Sequence, residues 1–292
     1  MGGVETAPEI FDRSLVARHR ERAASRIAQV APILDAAADV LLDRLDDTTR
    51  RFSRALDLGG RGSVAGKLRA RGVGFVVSMD LSPGMARAAG GMPIAADEEW
   101  LPFAPGSFDL IIASLGLHWV NDLPGALIQL RRALAPDGLF LATLPGLGTL
   151  QGLREALAAA ESETRGGISP RISPFPELRD LAGLLQRAGF ALPVADQEIL
   201  PLEYRTAMGL IGDLRAAGET NAVSARDRRT PPRAMFPRAF SGLDLRMGLR
   251  LLVMTGWAPH ESQQKPAIPG SANARLADAL GTVERKAGEK AG

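Results

Sequence analysis

Residues 54–62 read RALDLGGRG and predict a strand that runs into a glycine-rich turn. The apolar run carries one acid, Asp57, and three glycines follow it at once, Gly59, Gly60 and Gly62. A short apolar run followed by glycines is typical of a buried parallel strand that enters a tight turn. Glycines let the backbone approach a ligand closely, and the next helix begins with free N–H groups. The stretch therefore favours a ligand-binding turn over an ordinary turn whose glycines serve packing alone.

A second acid, Asp80, follows the next apolar run, residues 73–79. A glycine turn, a helix, a strand and an acid in this order outline a nucleotide-type site, in which the acid accepts hydrogen bonds from ribose hydroxyls. The dinucleotide fingerprint G-x-G-x-x-G is absent from residues 54–62. The pattern therefore indicates a nucleotide-type site without the dinucleotide signature.

Strand and helix patterns alternate along the chain from Arg54 onward. Repeated strand–helix units predict a parallel sheet with helices on both faces, joined by right-handed crossovers. The predicted strands are residues 56–59, 73–79, 93–96, 107–113, 139–144, 190–202 and 245–255, with a turn at 136–138. Ligands of such sheets bind at the carboxyl ends of the strands. Four polar side chains fall at these ends, Asp57, Asp80, Asp97 and Ser114.

Residues 10–24 predict a basic helix ahead of this core, with the arginines Arg13, Arg18, Arg20 and Arg22. Two interpretations of this helix stay open. It is either a solvated charged helix or a cap over the site that presents arginines to an anionic substrate or partner. A second helix follows at residues 32–45, and the proline- and arginine-rich residues 226–238 indicate a mobile loop or irregular insert. We expect a helical cap at 1–50, a core at 51–256 with a helical insert at 147–188, and a tail at 257–292.

The composition narrows the class of protein. The chain has 292 residues, no cysteine and a net charge of +2. The absence of cysteine excludes disulfides, thiolate metal sites and cysteine nucleophiles. So small a net charge gives no ground for nucleic-acid binding. The first residues lack a signal pattern and no apolar run approaches the length of a membrane span, so we expect a cytoplasmic protein without a transmembrane segment.

The order of the acids and the segment SFDLIIASLGLHWVNDLPGAL, residues 107–127, resemble the class I S-adenosylmethionine (SAM) methyltransferases over residues 50–145. Within that group the whole chain is similar to the complex I assembly factor 5 family, SAM-binding arginine hydroxylases that mature the quinone-side subunit of NADH:ubiquinone oxidoreductase, and to its bacterial relatives. The segments that carry this resemblance are FDRSLVARHRERAA (11–24), DEEWLPFAPGSFDL (97–110), GGISPRISPF (166–175), DLRAAGETN (213–221), TGWAPHESQQKP (255–266) and PGSA (269–272). The malonyl-acyl-carrier-protein methyltransferase of biotin synthesis is a more distant match, which we expect to be confined to the core.

The resemblance implies an α/β, Rossmann-like methyltransferase fold with a seven-stranded, mostly parallel sheet, helices on both faces, an N-terminal helical cap and a C-terminal extension. It also implies SAM as cofactor. Asp57 would hold the methionine end, Asp80 the ribose hydroxyls and Asp97 the adenine amino group, while Leu81 packs on the adenine and Ser114 lies on the sulfonium side. The full set of implied cofactor-binding residues is Asp57, Gly59, Gly60, Asp80, Leu81, Asp97, Glu98, Ser114 and Leu115.

The resemblance implies that His118 and Trp119 face the substrate entrance. We assign Arg13, Arg18 and His260 to substrate or partner recognition, with a protein substrate, a respiratory complex I subunit, as the partner. His260 lies in a segment that is either a tail clamped on the core or a surface that recognises the substrate protein.

The turn departs from the family pattern D-x-G-x-G-x-G. Arg61 and Ser63 stand at glycine positions if no residue is missing, and Ser114 stands where asparagine is common. An arginine with a positive φ is strained, so we expect strain at Arg61 if it keeps the backbone of a glycine.

The candidate chemistry is simple, because SAM carries the reactive group and the protein aligns the reactants. His118 is the candidate base, against the plainer interpretation that it packs at the rim beside Trp119. His19, His118 and His260 are the three histidines, and their wide spacing allows no metal site to be built from the sequence. The hydroxylase activity therefore rests on the resemblance alone.

Three functional hypotheses remain open. The leading one is a SAM-dependent enzyme that modifies a protein arginine in the assembly of respiratory complex I, bound peripherally to the membrane through its partner. A conventional SAM-dependent methyltransferase acting on a protein or a small molecule is its close variant. The third is a non-catalytic assembly chaperone that has kept the fold and lost SAM binding.

Overall fold

The structure is a computed structural model that describes residues 9–264, 278 and 281. The chain divides after Pro259 into two compact units. The first unit contains the whole sheet, and the second begins at His260.

A seven-stranded sheet forms the centre of the first unit, in the order β3-β2-β1-β4-β5-β7-β6. Strands β1 to β5 pair in parallel, whereas β7 is antiparallel to both β5 and β6. The predicted mostly parallel, Rossmann-like sheet is therefore confirmed. Strand order reverses between β1 and β4, which is where ligands bind in open α/β sheets. The strands are β1 Arg54–Leu58, β2 Phe75–Asp80, β3 Met92–Ala95, β4 Phe108–Ser114, β5 Leu134–Pro145, β6 Ala191–Glu203 and β7 Arg246–Trp257.

Helices cover both faces of the sheet, as the strand–helix alternation predicts. The helices are α1 Arg13–Ala23, α2 Ala31–Asp46, α3 Val64–Ala70, α4 Pro83–Ala88, α5 Leu123–Ala133, α6 Gln151–Arg165, α7 Leu178–Arg187, α8 Ala207–Ala216 and α9 Met235–Phe240. Ser82 caps α4 by accepting from Met85 N at 3.0 Å, and Pro83 is its first residue, as expected. Asp12 caps α1 in the same way through Leu15 N at 2.9 Å.

Successive side chains of the central strands are buried on opposite faces of the sheet. Leu110 and Ile112 of β4 pack with Leu41 and Leu68 on α2 and α3. Ile111, between them, packs on the opposite face with residues of α5 and α7, which are Leu127, Leu130, Leu181 and Leu185. Because a strand alternates its side chains, burial on both faces requires the continuous apolar run seen in the sequence. The core therefore holds the carboxyl ends of β1, β2 and β4 rigidly in register.

Two local predictions need correction. The turn expected at 136–138 lies inside β5, because Leu134 already pairs with Phe108 and the ladder shifts register before Leu110. The irregular insert expected at 226–238 runs into α9, whose Met235 and Ala239 are buried in a cluster with α6. Their spacing of four residues is helical, but the surrounding prolines and arginines hide it.

Candidate functional site

The acids predicted at the strand ends come together under α1. Asp80 is the last residue of β2 and Asp57 is the penultimate residue of β1, and both side chains are fully buried. Glu98, in the segment after β3, is fully buried as well. Asp97 is more open, with 29% of its side chain exposed. Apart from this last residue, the cluster is closed to solvent.

Arg20 of α1 joins two of these acids. Its Nη1 donates to Asp80 Oδ2 at 3.0 Å and to Glu98 Oε1 at 2.7 Å, and its Nη2 donates to Gly116 O at 3.4 Å. Burial disfavours the charged guanidinium, but the adjacent carboxylates outweigh it and raise the pKa of Arg20 above its ordinary value. The N-terminal helix therefore supplies the buried counter-charge of the cluster, which the site prediction missed. Arg13, Val16 and Arg20 share one helix face, and this spacing was the available signal.

Arg13 lies one step further out on the same helix. Its Nη2 donates to Asp97 Oδ1 at 2.6 Å and also to Glu98, and its Nη1 donates to Trp119 O at 3.0 Å. Burial would raise the pKa of Glu98, but Arg20 and Arg13 hold it below its ordinary value. Burial raises the pKa of Asp80, against the opposing charge of Arg20. Arg13 and Arg20 of α1 therefore bind acids of the chain itself in this conformation.

Asp57 has a different environment, because no cation among the described residues contacts it. Ser78 Oγ donates to Asp57 Oδ2 at 3.2 Å, while Oδ1 is buried without a hydrogen-bond partner among the described residues. Burial raises the pKa of Asp57 to about 7, with Ser78 acting in the opposite direction. A Cβ on Gly60 would lie 2.3 Å from Asp57 Oδ2, so only glycine leaves room for this carboxyl group. Asp57 therefore retains an acceptor that the fold does not use.

The glycine turn brings the loops after β1 and β4 into contact. Gly59 has φ +66° and donates its N–H to Met79 O at 2.7 Å. A Cβ on Gly59 would lie 2.6 Å from Gly116 Cα, so the two loops touch through glycine backbone. Arg61 is not among the described residues with a positive φ, so the strain that we expected there is absent.

Arg61 instead points its guanidinium into a second polar group. It donates to Glu219, to Leu115 O, and to Ala217 O at 3.2 Å. Glu219 also accepts from Trp119 Nε1 at 2.8 Å and lies 2.7 Å from His118 Nε2. Burial would raise the pKa of Glu219, but His118 and Arg61 hold it well below its ordinary value. Glu219 is thus an ionised carboxylate and a central residue that the site prediction missed.

His118 is held as a neutral imidazole. Burial lowers its pKa, and the charge of Glu219 only partly opposes this effect. Because a carboxylate can only accept, we assign the ring proton to Nε2, which leaves Nδ1 as an acceptor. Nδ1 is buried and has no partner in the part of the chain that the structure describes. His118 is therefore packed against the fold, and it also carries an unused acceptor.

A cavity of about 130 Å³ lies beside this second polar group. Arg61, Leu115, His118, Trp119 and Glu219 all line it. Most other lining residues are apolar and come from α2, the loop before α7, β6, α8 and β7, including Ile33, Leu34, Phe175, Leu202, Leu210 and Leu249.

The predicted site residues therefore fall into two groups. The acids lie under α1, whereas His118, Trp119 and Leu115 line the cavity. Leu81 packs with the cluster around Trp119, and Ser114 is the last residue of β4.

The remaining predicted residues lie apart from both groups or in another unit. Arg18 is exposed on α1. His260 belongs to the second unit, where its Nδ1 lies 2.7 Å from Ser262 Oγ. PGSA at 269–272 lies outside the described residues.

The described residues lack a membrane-spanning helix and a cluster of metal ligands. No helix there combines the length and apolar character needed to cross a membrane. The same residues contain no group of three or more His, Cys, Asp or Glu side chains arranged to hold a metal ion.

Comparisons with known proteins now identify the family. A methyltransferase domain family matches residues 56–142, which run from β1 into β5. The arginine-hydroxylase NDUFAF5 of Danio rerio, a mitochondrial protein, is 36% identical over 285 residues, covering 92% of this chain and 89% of that protein. The chain belongs to the NDUFAF5 family. The human NDUFAF5 arginine-hydroxylase is also 36% identical, over 94% of this chain and 84% of its own length.

The matched domain and these relatives make the chain an enzyme of the SAM-dependent methyltransferase-like class. The malonyl-[acyl-carrier protein] O-methyltransferase of Laribacter hongkongensis is 34% identical over 251 residues, 80% of this chain and 82% of that protein. The expectation that this match is confined to the core was therefore wrong. Among solved structures, the YcgJ protein of Bacillus subtilis has a TM-score of 0.50 at 16% identity, covering 77% of this chain and 99% of that chain. That likeness shows a shared fold.

Proposed function

We propose that this member of the NDUFAF5 family binds SAM under α1 and modifies an arginine of a protein substrate, a subunit of respiratory complex I. The observation that carries the proposal is the gathering of Asp57, Asp80 and Glu98 at the strand switch point. The names of the relatives, arginine-hydroxylases, supply the substrate group.

The acceptors under α1 suit the donors of SAM. SAM has two ribose hydroxyls and amine groups that donate, and carboxylates are their strongest acceptors. Asp80 would accept from the ribose, and Glu98 with Asp97 from the adenine amino group. Asp57 offers its unpartnered Oδ1 to the methionine end. The positive φ of Gly59 supports a close approach of backbone to ligand at the same place.

Binding at this site requires a rearrangement of α1. Arg20 and Arg13 hold Asp80 and Glu98 in the described conformation. SAM and Arg20 would therefore compete for Asp80, and the cap must move or share its acceptors before the ribose is held. This competition supports α1 as a lid whose position depends on the ligand.

The cavity beside His118 would receive the substrate side chain. In the methyltransferase form of the function, SAM when bound would supply an electrophilic methyl group, and the protein would supply alignment and acceptors. His118 is neutral and Glu219 fixes its Nε2–H, so Nδ1 is the nitrogen that can take a proton. Nδ1 is buried in the described conformation, so its ring must be uncovered before it acts.

Mass spectrometry tests the proposed modification. The purified protein is incubated in air with SAM, a two-electron reductant and isolated complex I subunits, and the subunits are then digested and sequenced. In the hydroxylase form, one atom of dioxygen enters the arginine and the other leaves as water, with two electrons from the reductant. The hydroxylase form of the proposal predicts a gain of about 16 Da on one arginine, which corresponds to one oxygen. Unchanged subunits, when SAM also fails to bind, would refute the enzyme and favour the chaperone.

A conventional methyltransferase is the second candidate function. It is favoured by the match to the methyltransferase domain and by the 34% identity to the malonyl-[acyl-carrier protein] O-methyltransferase. It predicts a gain of about 14 Da, one methyl group, in the same experiment. The non-catalytic chaperone has one structural observation in its favour, the occupation of Asp80 and Glu98 by Arg20.

The location follows from the proposed partner. The NDUFAF5 arginine-hydroxylases of Danio rerio and human are mitochondrial proteins. For this chain we propose a cytoplasmic protein that reaches the membrane surface through its complex I partner.

A further inference from the structure

The polar wall of the cavity contains a guanidinium-binding site whose present occupant is Arg61. Three acceptors surround that guanidinium: the carboxylate of Glu219 and the carbonyl oxygens of Leu115 and Ala217. We propose that these acceptors, here called the cradle, bind the guanidinium of the substrate arginine, and that Arg61 holds the place until the substrate enters. This inference rests on the proposed function, because it takes arginine as the substrate.

The cradle has the chemistry that a guanidinium requires. A guanidinium presents planar N–H donors and has no acceptor, so its partners must be carboxylates or carbonyls. The cradle offers one carboxylate and two carbonyls from separate elements, the loop after β4 and the end of α8. An ammonium group, a compact point charge, would not satisfy the same spread of acceptors. The cradle therefore selects arginine over lysine.

Arg61 fills the cradle incompletely. Only 2% of its side chain is exposed, yet its buried Nε has no hydrogen-bond partner among the described residues. A buried donor without a partner is costly, so the internal arginine is a less than ideal ligand. A substrate guanidinium that approaches from the cavity can present a different set of its five donors to the same acceptors.

The backbone around the cradle supports exchange of one arginine for another. Arg61 stands between Gly60 and Gly62, and glycine neighbours give its backbone unusual freedom. Leu115 has φ +53°, a left-handed conformation that leucine rarely adopts. Strain of this kind concentrates at ligand-binding positions, and here it is found in a residue whose carbonyl belongs to the cradle.

The cavity gives the substrate a route to the cradle. Arg61, Leu115 and Glu219 line it together with apolar side chains such as Leu34 and Leu210. Apolar walls suit the methylene stem of an arginine, which packs on such surfaces while its head group remains polar. A neighbouring cation, Arg171, also lines the cavity but pairs with Glu161, which is not part of the cavity wall.

The inference is tested by binding a blocked arginine to a variant in which the guanidinium of Arg61 has been removed from the cradle. The arginine probe is N-acetyl-arginine methylamide, and the lysine probe is the corresponding lysine compound. Calorimetry measures the binding of each probe to the full chain without SAM. Arg61→Met should bind the arginine probe at least about ten-fold more tightly than the wild type. The lysine probe should show no such gain. Arg179→Met is the matched control, because it removes an exposed arginine that does not line the cavity and should leave binding of the arginine probe unaffected.

Two further measurements keep the inference falsifiable. Adding Glu219→Gln to Arg61→Met should abolish the gain, since the cradle loses its carboxylate charge. If Arg61→Met does not fold, nuclear magnetic resonance of the wild-type arginine side chains replaces it, and the arginine probe should shift the Arg61 Nε signal. A folded Arg61→Met that binds the arginine probe no better than the wild type, or both probes equally, would overturn the inference, as would an unmoved Arg61 signal.

The experiment separates this inference from the proposed function. Neither SAM nor a complex I subunit is present, so cradle binding can succeed while SAM binding fails. That outcome would refute the proposed SAM-dependent enzyme, but the cradle would still be shown to bind an arginine guanidinium. If SAM binds and Arg61→Met binds the arginine probe no better than the wild type, the cradle is refuted and the cofactor site is supported.

Discussion

Arg20 of α1 and Asp80 at the end of β2 form an ion pair of 3.0 Å in which both side chains are almost fully buried. The two residues are 60 positions apart, so the pair fastens the N-terminal helix to the edge of the sheet where ligands bind. Glu98 shares the same guanidinium at 2.7 Å. A ligand that binds Asp80 or Glu98 at this edge must therefore compete with Arg20 for their carboxylates.

Removing this guanidinium should weaken the fold strongly. Arg20→Met leaves Asp80 and Glu98 buried without their shared cation, and loss of one partner of a buried pair costs about 3–5 kcal/mol. Urea denaturation measures the change. Arg18→Met is the matched control, because Arg18 is on the same helix but exposed. The free energy of unfolding of this variant should equal that of the wild type. Equal, small effects of the two substitutions would contradict the buried pair.

The carboxyl group of Asp57 should make stability depend on pH. Burial raises its pKa from 3.8 to about 7, so between these values the folded chain keeps a proton that the unfolded chain releases. The contribution of Asp57 to the free energy of unfolding therefore falls as pH rises through this range. The wild type should lose stability relative to Asp57→Asn between about pH 4 and about pH 7.

Comparison with the Asn variant isolates this effect. Burial lowers the pKa of His19 and of His118, which gives a dependence of the opposite sign in the same region. Both histidines are present in the two proteins, so their contribution cancels in the difference. Parallel stability curves for the wild type and Asp57→Asn would contradict the raised pKa.

A methyl group at Gly59 should be poorly tolerated. Its φ of +66° disfavours any other residue, and a Cβ would lie 2.6 Å from Gly116 Cα. Gly59→Ala should lower the free energy of unfolding by more than about 1 kcal/mol, measured by urea denaturation. Gly66→Ala in α3 is the control, because nothing lies within 4 Å of its Cβ. This helix substitution should stabilise the protein by about 0.5–1 kcal/mol, and the opposite ranking would sink the assignment of the turn.

The charge of Glu219 should tune His118. Burial lowers the pKa of His118, and Glu219 partly restores it. Glu219→Gln should therefore lower the pKa of His118 further, as measured by nuclear magnetic resonance titration of the histidine rings. The chain has only 3 histidines, so their signals can be assigned, and exposed His260 serves as the internal reference. A pKa of His118 that rises or stays constant in the variant would contradict the contact.

The parts of the site that lie on a single strand end could be predicted from the sequence. Asp57, Gly59 and Asp80 follow directly from an apolar run that ends at a turn or an acid, because the chain direction alone puts them at the carboxyl edge. The cap helix could be placed for the same reason, from its local pattern. Its arginines could not be assigned, since a basic helix face is compatible with solvent or with a buried acid.

The pairings across the fold could not be predicted. Arg61 and Glu219 are 158 residues apart, and only the packing of α8 near the turn brings them together. The glycine pattern that contains Arg61 predicts backbone strain at this residue. In the structure its side chain instead points into the polar group around Glu219. Local sequence predicts elements and edges, but partners across distant elements depend on how those elements pack.

Calorimetric titration with SAM tests the central claim most directly, using the wild type, Asp80→Ala and the exposed control Asp39→Ala. The acids under α1 predict that the wild type and Asp39→Ala bind SAM alike. Asp80→Ala should bind about 1.5–3 kcal/mol more weakly, the range for hydrogen bonds to charged groups. A wild type that shows no binding at high micromolar SAM, or an Asp80→Ala variant with unchanged affinity, would contradict a cofactor site at these strand ends.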